Sequence, residues 1–321
     1  MARLTLSLLG GFQARLDHGP PLALPAKAVA LLAYLALRPG QAAPRDKLGA
    51  LLWGGTGDEQ ARSNVRHTLF TIRKTLGAAL PSPLVTEGQT VGLAAAACDV
   101  DARLFEALVR EGTPGALERA AELYRGELLD GVGVDEPPFE EWLLAERERL
   151  RALALEALAH LLAHESKAGM TQRAIQTATR LLALDPLQEA VHRSLMRLYA
   201  RQGRHAAALR QYKTCAEVLN RELHAEPEPQ TRRLYHELRK RRESAVAMES
   251  DVATEHEPPR GRGRVLSSAP VREPRPEGAS APPDGERRHV TVLFADLGGS
   301  ADAVLDRDPE EARRLLDQCA S

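Results

Sequence analysis

Cysteine is scarce in this sequence, and its placement excludes two kinds of stabilising site. The 321 residues contain only Cys98, Cys215 and Cys319, an odd number of widely separated thiols. Their spacing matches neither a zinc site nor the disulfide framework of a small secreted domain. We therefore expect reduced thiols, which predicts a cytoplasmic location.

Aromatic residues and long apolar runs are also scarce. Phe, Trp and Tyr make up 4% of the chain, whereas hydrophobic residues as a whole make up 43%. The core must then consist mainly of Leu and Ala, a composition that favours helices. Because no run of about 18 uncharged apolar residues occurs, we expect no membrane span and no membrane partner.

The overall charge conceals a basic N-terminal region. The formal net charge is −1, which by itself indicates nothing about nucleic acid. Residues 1–97, however, contain ten Lys or Arg and five Asp or Glu, a balance of +5. This excess of positive charge makes a polyanionic partner a reasonable hypothesis for the N-terminal region.

Turn and helix signals divide the N-terminal region into short elements. Alternating Leu4, Leu6 and Leu8 favour a strand over a signal peptide, and residues 3–16 and 20–24 are predicted as strands around a turn. Helices are predicted over 26–37, over 44–53 and, starting after the N-cap residue Asp58, up to Leu76. Two short strands follow, at 83–86 and 91–93.

An internal repeat occupies part of the next region, which is predicted to be helical from 101 to 242. Gly169 and Gly203 are 34 residues apart, as are Ala174 and Ala208. A period of 34 is that of tetratricopeptide repeats, in which each helical hairpin buries its apolar face on the next. The alternative is an unrelated helical bundle in which this spacing is coincidental.

The composition changes sharply after residue 245. Seven prolines fall between Pro258 and Pro283, with almost no large apolar residue, so residues 246–288 are predicted to be a disordered linker. The sequence HVTVLFAD then predicts a strand that ends at Asp296, followed by a helix over 309–319. One strand and one helix cannot bury a core, so residues 289–321 are predicted to be an incomplete domain.

The third predicted helix has two different faces. At about 100° per residue, Val65, Leu69, Ile72 and Leu76 form one apolar stripe. Basic, polar and aromatic side chains lie on the other side, namely Arg62, Ser63, Arg66, His67, Phe70, Arg73 and Lys74. Such a face suits the DNA major groove, where Arg can bind guanine bidentately and Lys can meet phosphate. An ordinary solvated basic face is the alternative, but the strand, three-helix and hairpin order favours DNA binding.

Several ordered segments resemble a known family. The sequence DEQARSNVRHTLFTIRKTLG (58–77) resembles the recognition-helix segment of OmpR/PhoB-type winged helices, and 10–37 and 44–53 resemble the segments upstream of it. LFEALVREG, ELYRGELLDG and FEEWLLAERERL, within 104–150, resemble the opening helices of the bacterial transcriptional activator domain. The resemblance implies a regulator of the antibiotic-regulatory-protein class that binds direct repeats in double-stranded DNA near a promoter, recruits RNA polymerase and can form a homodimer through its repeat domain.

A second resemblance concerns the C-terminal segment. ERRHVTVLFADLGGSADAVLDRDPEEARRLL (286–316) resembles the start of class III nucleotide cyclase domains. In that family the aspartate at the end of this strand binds metal, and Asp296 matches it. One carboxylate cannot form a two-metal site, so we expect no catalysis by this chain and no cofactor.

These observations predict a mainly α protein. It comprises a winged helix-turn-helix (1–97), a tetratricopeptide-like activator domain (98–245), the linker (246–288) and a short α/β fragment (289–321). The predicted function is sequence-specific transcriptional regulation by DNA binding. The alternative is the N-terminal regulatory fragment of a nucleotide cyclase, acting as a sensor or protein-interaction module.

Overall fold

The computed structural model describes residues 3–17, 19–38, 40–77 and 82–254. The described residues are mainly helical, which confirms the predicted class. The N-terminal part contains β1 (Leu4–Ser7), β2 (Gln13–Leu16), α1 (Ala26–Ala36), β3 (Ala43–Pro44), α2 (Arg45–Trp53), α3 (Asp58–Leu76), β4 (Leu84–Glu87), β5 (Thr90–Leu93) and β6 (Cys98–Val100). Helices then follow one another: α4 (Asp101–Glu111), α5 (Pro114–Leu123), α6 (Pro137–Lys167), α7 (Thr171–Leu184), α8 (Glu189–Arg201), α9 (His205–Leu223) and α10 (Pro229–Thr254).

Two small sheets flank the first three helices. In one sheet β1 pairs antiparallel with β2 and parallel with β6, and in the other β5 lies between β3 and β4. The order of three helices followed by the β4–β5 hairpin is that of a winged helix-turn-helix. Helix α3 begins at Asp58, and Gly57 occupies the cap position that the sequence assigned to Asp58.

The strand predicted over 20–24 is absent. Only a bridge between Arg15 and Pro21 and one hydrogen bond, from Leu22 N–H to the Ala14 carbonyl at 2.8 Å, join this segment to β2. Pro20, Pro21 and Pro25 have no N–H to donate, so they cannot extend a ladder of backbone hydrogen bonds. The segment therefore runs beside the sheet as a connection.

One continuous core joins the N-terminal part to the helices that follow. Buried residues from β1 and α1 belong to the same hydrophobic cluster as Phe105, Phe139 and Leu150. The Gly10 N–H donates to the Glu127 carbonyl at 2.9 Å, and a Cβ on Gly126 would lie 3.3 Å from the Gly10 Cα. The predicted boundary after residue 97 thus falls inside continuous packing.

Asp101 is a main polar link across this junction. Its carboxylate accepts hydrogen bonds from the N–H groups of Leu8 (2.8 Å), Leu9 (3.1 Å) and Ala102 (2.7 Å). Burial raises the pKa of Asp101, and the three N–H donors oppose that shift. The start of α4 is therefore tied to the strand that opens the chain.

The predicted helical repeat is present in the α6–α7 and α8–α9 hairpins. Gly169 and Gly203 both have positive φ, +73° and +72°, at the turn within each hairpin. Ala174 and Ala208 are both fully buried, at 0% exposure, one turn into the second helix. The 34-residue period therefore marks equivalent backbone and packing positions in successive units.

A larger side chain at these alanines is expected to destabilise the fold. Ala174→Leu and Ala208→Leu should each lower the free energy of unfolding by about 1–3 kcal/mol, because added methylene groups have no room in a packed junction. Urea denaturation measures the change. Ala163→Leu, on the exposed side of α6, is the matched control and should be close to neutral; unchanged midpoints in both buried variants would contradict the packing role.

The C-terminal boundary differs from the predicted one. Helix α10 continues to Thr254, nine residues into the segment predicted to be a disordered linker (246–288). The rest of that segment and the incomplete fragment, with Asp296, lie outside the described residues. A break between α9 and α10 also went unpredicted; it follows His224, which has φ +51°, and contains Pro227.

Candidate nucleic-acid interface

Helix α3 is fixed by its apolar stripe. Val65, Leu69 and Ile72 are at most 1% exposed, as the periodicity predicts. Gly49 of α2 allows the two helices to approach closely, since a Cβ there would lie 3.4 Å from the Ala61 Cβ. The orientation of α3 about its own axis is thereby determined by packing.

The remaining face of α3 is open to solvent. All seven residues predicted for DNA contact are exposed, namely Arg62, Ser63, Arg66, His67, Phe70, Arg73 and Lys74. Phe70, which is the only Phe, Tyr or Trp of this helix, is 61% exposed. The structure therefore brings the predicted residues together on one accessible surface, hereafter the α3 face.

Two arginines of the α3 face are held by neighbouring elements. The Arg62 Nε lies 2.9 Å from the Asp46 Oδ1 on α2, and this hydrogen bond raises the pKa of Arg62 further above its ordinary value. Arg73 donates to the Thr86 hydroxyl at 3.0 Å, which joins α3 to β4. Both pairs are solvent-exposed, so they orient the guanidinium groups without a large contribution to stability.

The β4–β5 hairpin is joined to the start of α2. Gly88, with φ +56°, forms its turn, and the Arg45 N–H donates to the Gln89 carbonyl at 2.9 Å. The Arg45 side chain is half-buried, and its Nε has no hydrogen-bond partner in the described part of the chain. Sequence reasoning did not single out Arg45; the available signal was its position directly after Pro44, as the first residue of α2.

A match to a known protein family begins at the end of β6 and covers most of the helices that follow. Residues 100–239 match the bacterial transcriptional activator domain. This match confirms the predicted resemblance of the segments within 104–150. Hereafter α4 to α10 are called the activator domain.

Two curated regulatory proteins are similar in sequence to this chain. The chain is 34% identical over 212 residues to regulatory protein AfsR of Streptomyces coelicolor, a match that covers 62% of this chain and 20% of AfsR. It is 27% identical over 212 residues to AfsR of Streptomyces griseus, with 63% and 21% covered. The chain thus spans about a fifth of the length of these curated relatives.

The fold resembles that of EmbR from Mycobacterium tuberculosis, solved in complex with a low-affinity phosphopeptide. The TM-score is 0.56 at 23% identity, with 79% of this chain and 71% of EmbR covered. At this identity the likeness shows the fold alone. Together, the family match and the AfsR relatives support the bacterial transcriptional activator class.

The helix-turn-helix and the activator domain are linked by side chains as well as by the shared core. Lys27 of α1 lies 2.6 Å from the Glu136 Oε1, at the start of α6, and also 5.2 Å from the centre of the Trp53 ring. Glu136 is only 9% exposed. This part-buried ion pair joins α1 to the activator domain, and the contact of Lys27 with the Trp53 ring adds the end of α2 to the same junction.

The described residues were also compared with the requirements of a metal site, a reactive histidine or thiol, and a membrane span. No group of three or more His, Cys, Asp or Glu is arranged there to hold a metal. Burial lowers the pKa of His192. Its Nε2 lies 3.0 Å from the Pro186 carbonyl and its Nδ1 lies 2.7 Å from the Gln211 amide, so both ring nitrogens are engaged within the fold, as expected of a histidine with a packing role. Burial also raises the pKa of Cys98 and Cys215 to about 11. No described helix has the length and apolar character of a membrane span.

Proposed function

We propose that this chain is a sequence-specific DNA-binding regulator in which α3 enters the major groove. The observation that carries the proposal is the α3 face itself, a cationic, hydrogen-bonding surface that lies opposite a fully buried stripe. A helix fits the major groove, where every base pair presents a distinct pattern of donors and acceptors. The adjoining helices match the bacterial transcriptional activator domain, which supports a role in transcription.

The α3 face divides into two proposed kinds of contact. The side of the helix opposite the buried stripe carries Ser63, His67, Phe70 and Lys74, and Arg66 flanks it. We assign Ser63, Arg66, His67 and Phe70 to base edges, where Phe70 would meet a thymine methyl group. Arg62 and Arg73 lie closer to the buried stripe, and we assign them to phosphates, together with Lys74, whose ammonium group meets phosphate as a point charge. Arg45, beside the hairpin turn, is a further phosphate-binding candidate.

The proposal extends to the domains and partners. Residues 1–97 bind double-stranded DNA, and residues 98–245 form the activator domain, which recruits RNA polymerase and supports a homodimer. The match over 100–239 supports the second assignment. Regulation of this kind takes place in the cytoplasm and needs neither cofactor nor catalysis.

Selection from a random duplex pool tests the proposal directly. The purified chain should enrich duplexes that carry two direct repeats of one short motif, because two copies of α3 would read two half-sites. In competition experiments at physiological salt, the enriched duplex should bind at least about 10³-fold more tightly than unrelated DNA. Equal affinity for all duplexes, without enrichment, would reject sequence-specific binding.

A further inference from the structure

A buried carboxylate without a partner lies in the activator domain. Glu165 of α6 is 3% exposed, and its Oε2 has no hydrogen-bond partner in the described part of the chain. Buried carboxylates are normally paired with a cation or with several donors, because desolvation strongly penalises an isolated charge. The position therefore needs an explanation beyond packing.

The internal repeat shows that packing does not require a carboxylate at this position. Glu165 precedes Gly169 by four residues, and Tyr199 precedes Gly203 by the same interval. Tyr199 packs against the neighbouring apolar core, and the Arg204 guanidinium lies 4.8 Å from the centre of its ring. The second unit thus fills the equivalent site with an aromatic side chain.

Glu165 lines a cavity between α5, α6 and α7. The cavity has a volume of about 400 Å³, within the range of small-molecule sites. Leu158, Leu161 and Ala121 give it an apolar wall, and Thr177 adds a hydroxyl group. Its size and mixed lining suit a small ligand with a short apolar chain and one polar end.

The cations of this cavity are bonded to other groups. Arg173 lies 2.8 Å from the Oε1 of Glu118, which also lines the cavity. Arg180 donates to the backbone carbonyls of Ala121 and Tyr124, the latter at 3.2 Å. Neither guanidinium group pairs with Glu165, so the cavity offers a carboxylate that an incoming cation can neutralise.

We infer that this cavity binds a small organic cation, whose primary ammonium group donates hydrogen bonds to the Glu165 carboxylate. The alkyl chain of such an amine lies against Leu158 and Leu161, and a charge-assisted hydrogen bond in a partly dry site provides selectivity for the ammonium group. The site is separate from the α3 face. The inference therefore stands whether or not the chain binds DNA.

Calorimetric titration of the full chain with n-butylammonium chloride and with 1,5-diaminopentane tests the inference. At least one amine should bind saturably, whereas 1-butanol, which has the same alkyl chain without the charge, should not. Glu165→Gln should weaken amine binding by about tenfold or more, since the amide carries no charge. Glu156→Gln, on the exposed side of the same helix, removes a charge elsewhere and should bind as the parent does.

The stability of the ligand-free variants gives a second readout. Because Glu165 has no partner among the described residues, Glu165→Gln should raise the melting temperature of the free protein by about 2–4 °C. A carboxylate with a structural role would give the opposite sign. The inference is overturned if neither amine binds saturably, if Glu165→Gln binds the amine as tightly as the parent, or if that variant melts at a lower temperature.

Discussion

Simultaneous replacement of Arg62, Arg66 and Lys74 by alanine is expected to abolish sequence-specific DNA binding. All three side chains are exposed on the α3 face, and their loss removes both phosphate contacts and a candidate guanine contact. Fluorescence anisotropy over a range of salt concentrations measures the effect. The logarithm of the DNA association constant decreases linearly with the logarithm of the salt concentration, and the magnitude of this slope should decrease by about 0.9 for each phosphate contact that is lost.

The ion pair between Arg62 and Asp46 makes the single variants unequal. Arg62 already shares its charge with Asp46 at 2.9 Å, whereas no hydrogen bond or ion pair to a carboxylate is present for Arg66 in the described part of the chain. Arg66→Ala should therefore weaken specific binding more than Arg62→Ala does. The comparison separates contact with DNA from a general effect of removing charge.

A second triple variant controls for total charge. Arg119, Arg197 and Arg201 are exposed on helices of the activator domain, so Arg119→Ala, Arg197→Ala and Arg201→Ala together remove the same charge from another surface. This control should keep its specific binding. If both triple variants bind equally well, or lose binding equally, the α3 face is not the DNA-reading surface.

The sequence could predict the α3 face because helical periodicity is a local property. Val65, Leu69 and Ile72 define the buried side, and the opposite side follows at 100° per residue. The pairs that hold this face could not be predicted. Arg62 meets Asp46 and Arg73 meets Thr86 only after separate elements have packed, and no local pattern encodes these contacts.

The packing across the junction of the two domains could not be predicted, for a similar reason. The strand β6 has only three residues, Cys98–Val100, and it pairs in parallel with β1 near the other end of the N-terminal part. Short strands lack the turn signals and alternation that make longer strands recognisable. Composition could therefore suggest a boundary near residue 97, but it could not show that one core crosses that boundary.

The largest effect on stability is expected at Asp101. Asp101→Ala removes the acceptor for the N–H groups of Leu8 and Leu9, which belong to buried residues, and leaves both donors unsatisfied. Each buried unsatisfied group costs about 1–3 kcal/mol, so the free energy of unfolding should fall by about 2–6 kcal/mol. Urea denaturation, followed by circular dichroism, measures the loss.

Two further substitutions show whether this loss comes from the hydrogen bonds that join the domains. Asp101→Asn keeps one acceptor oxygen and should lose less stability than Asp101→Ala. Asp99→Ala, two residues earlier, removes an exposed pair with Arg3 (Nε to Oδ2, 2.7 Å) and should change stability by at most about 1 kcal/mol. If Asp101→Ala were no more destabilising than Asp99→Ala, the carboxylate would not be what fastens β1 to α4, and the shared apolar core alone would hold the helix-turn-helix to the activator domain.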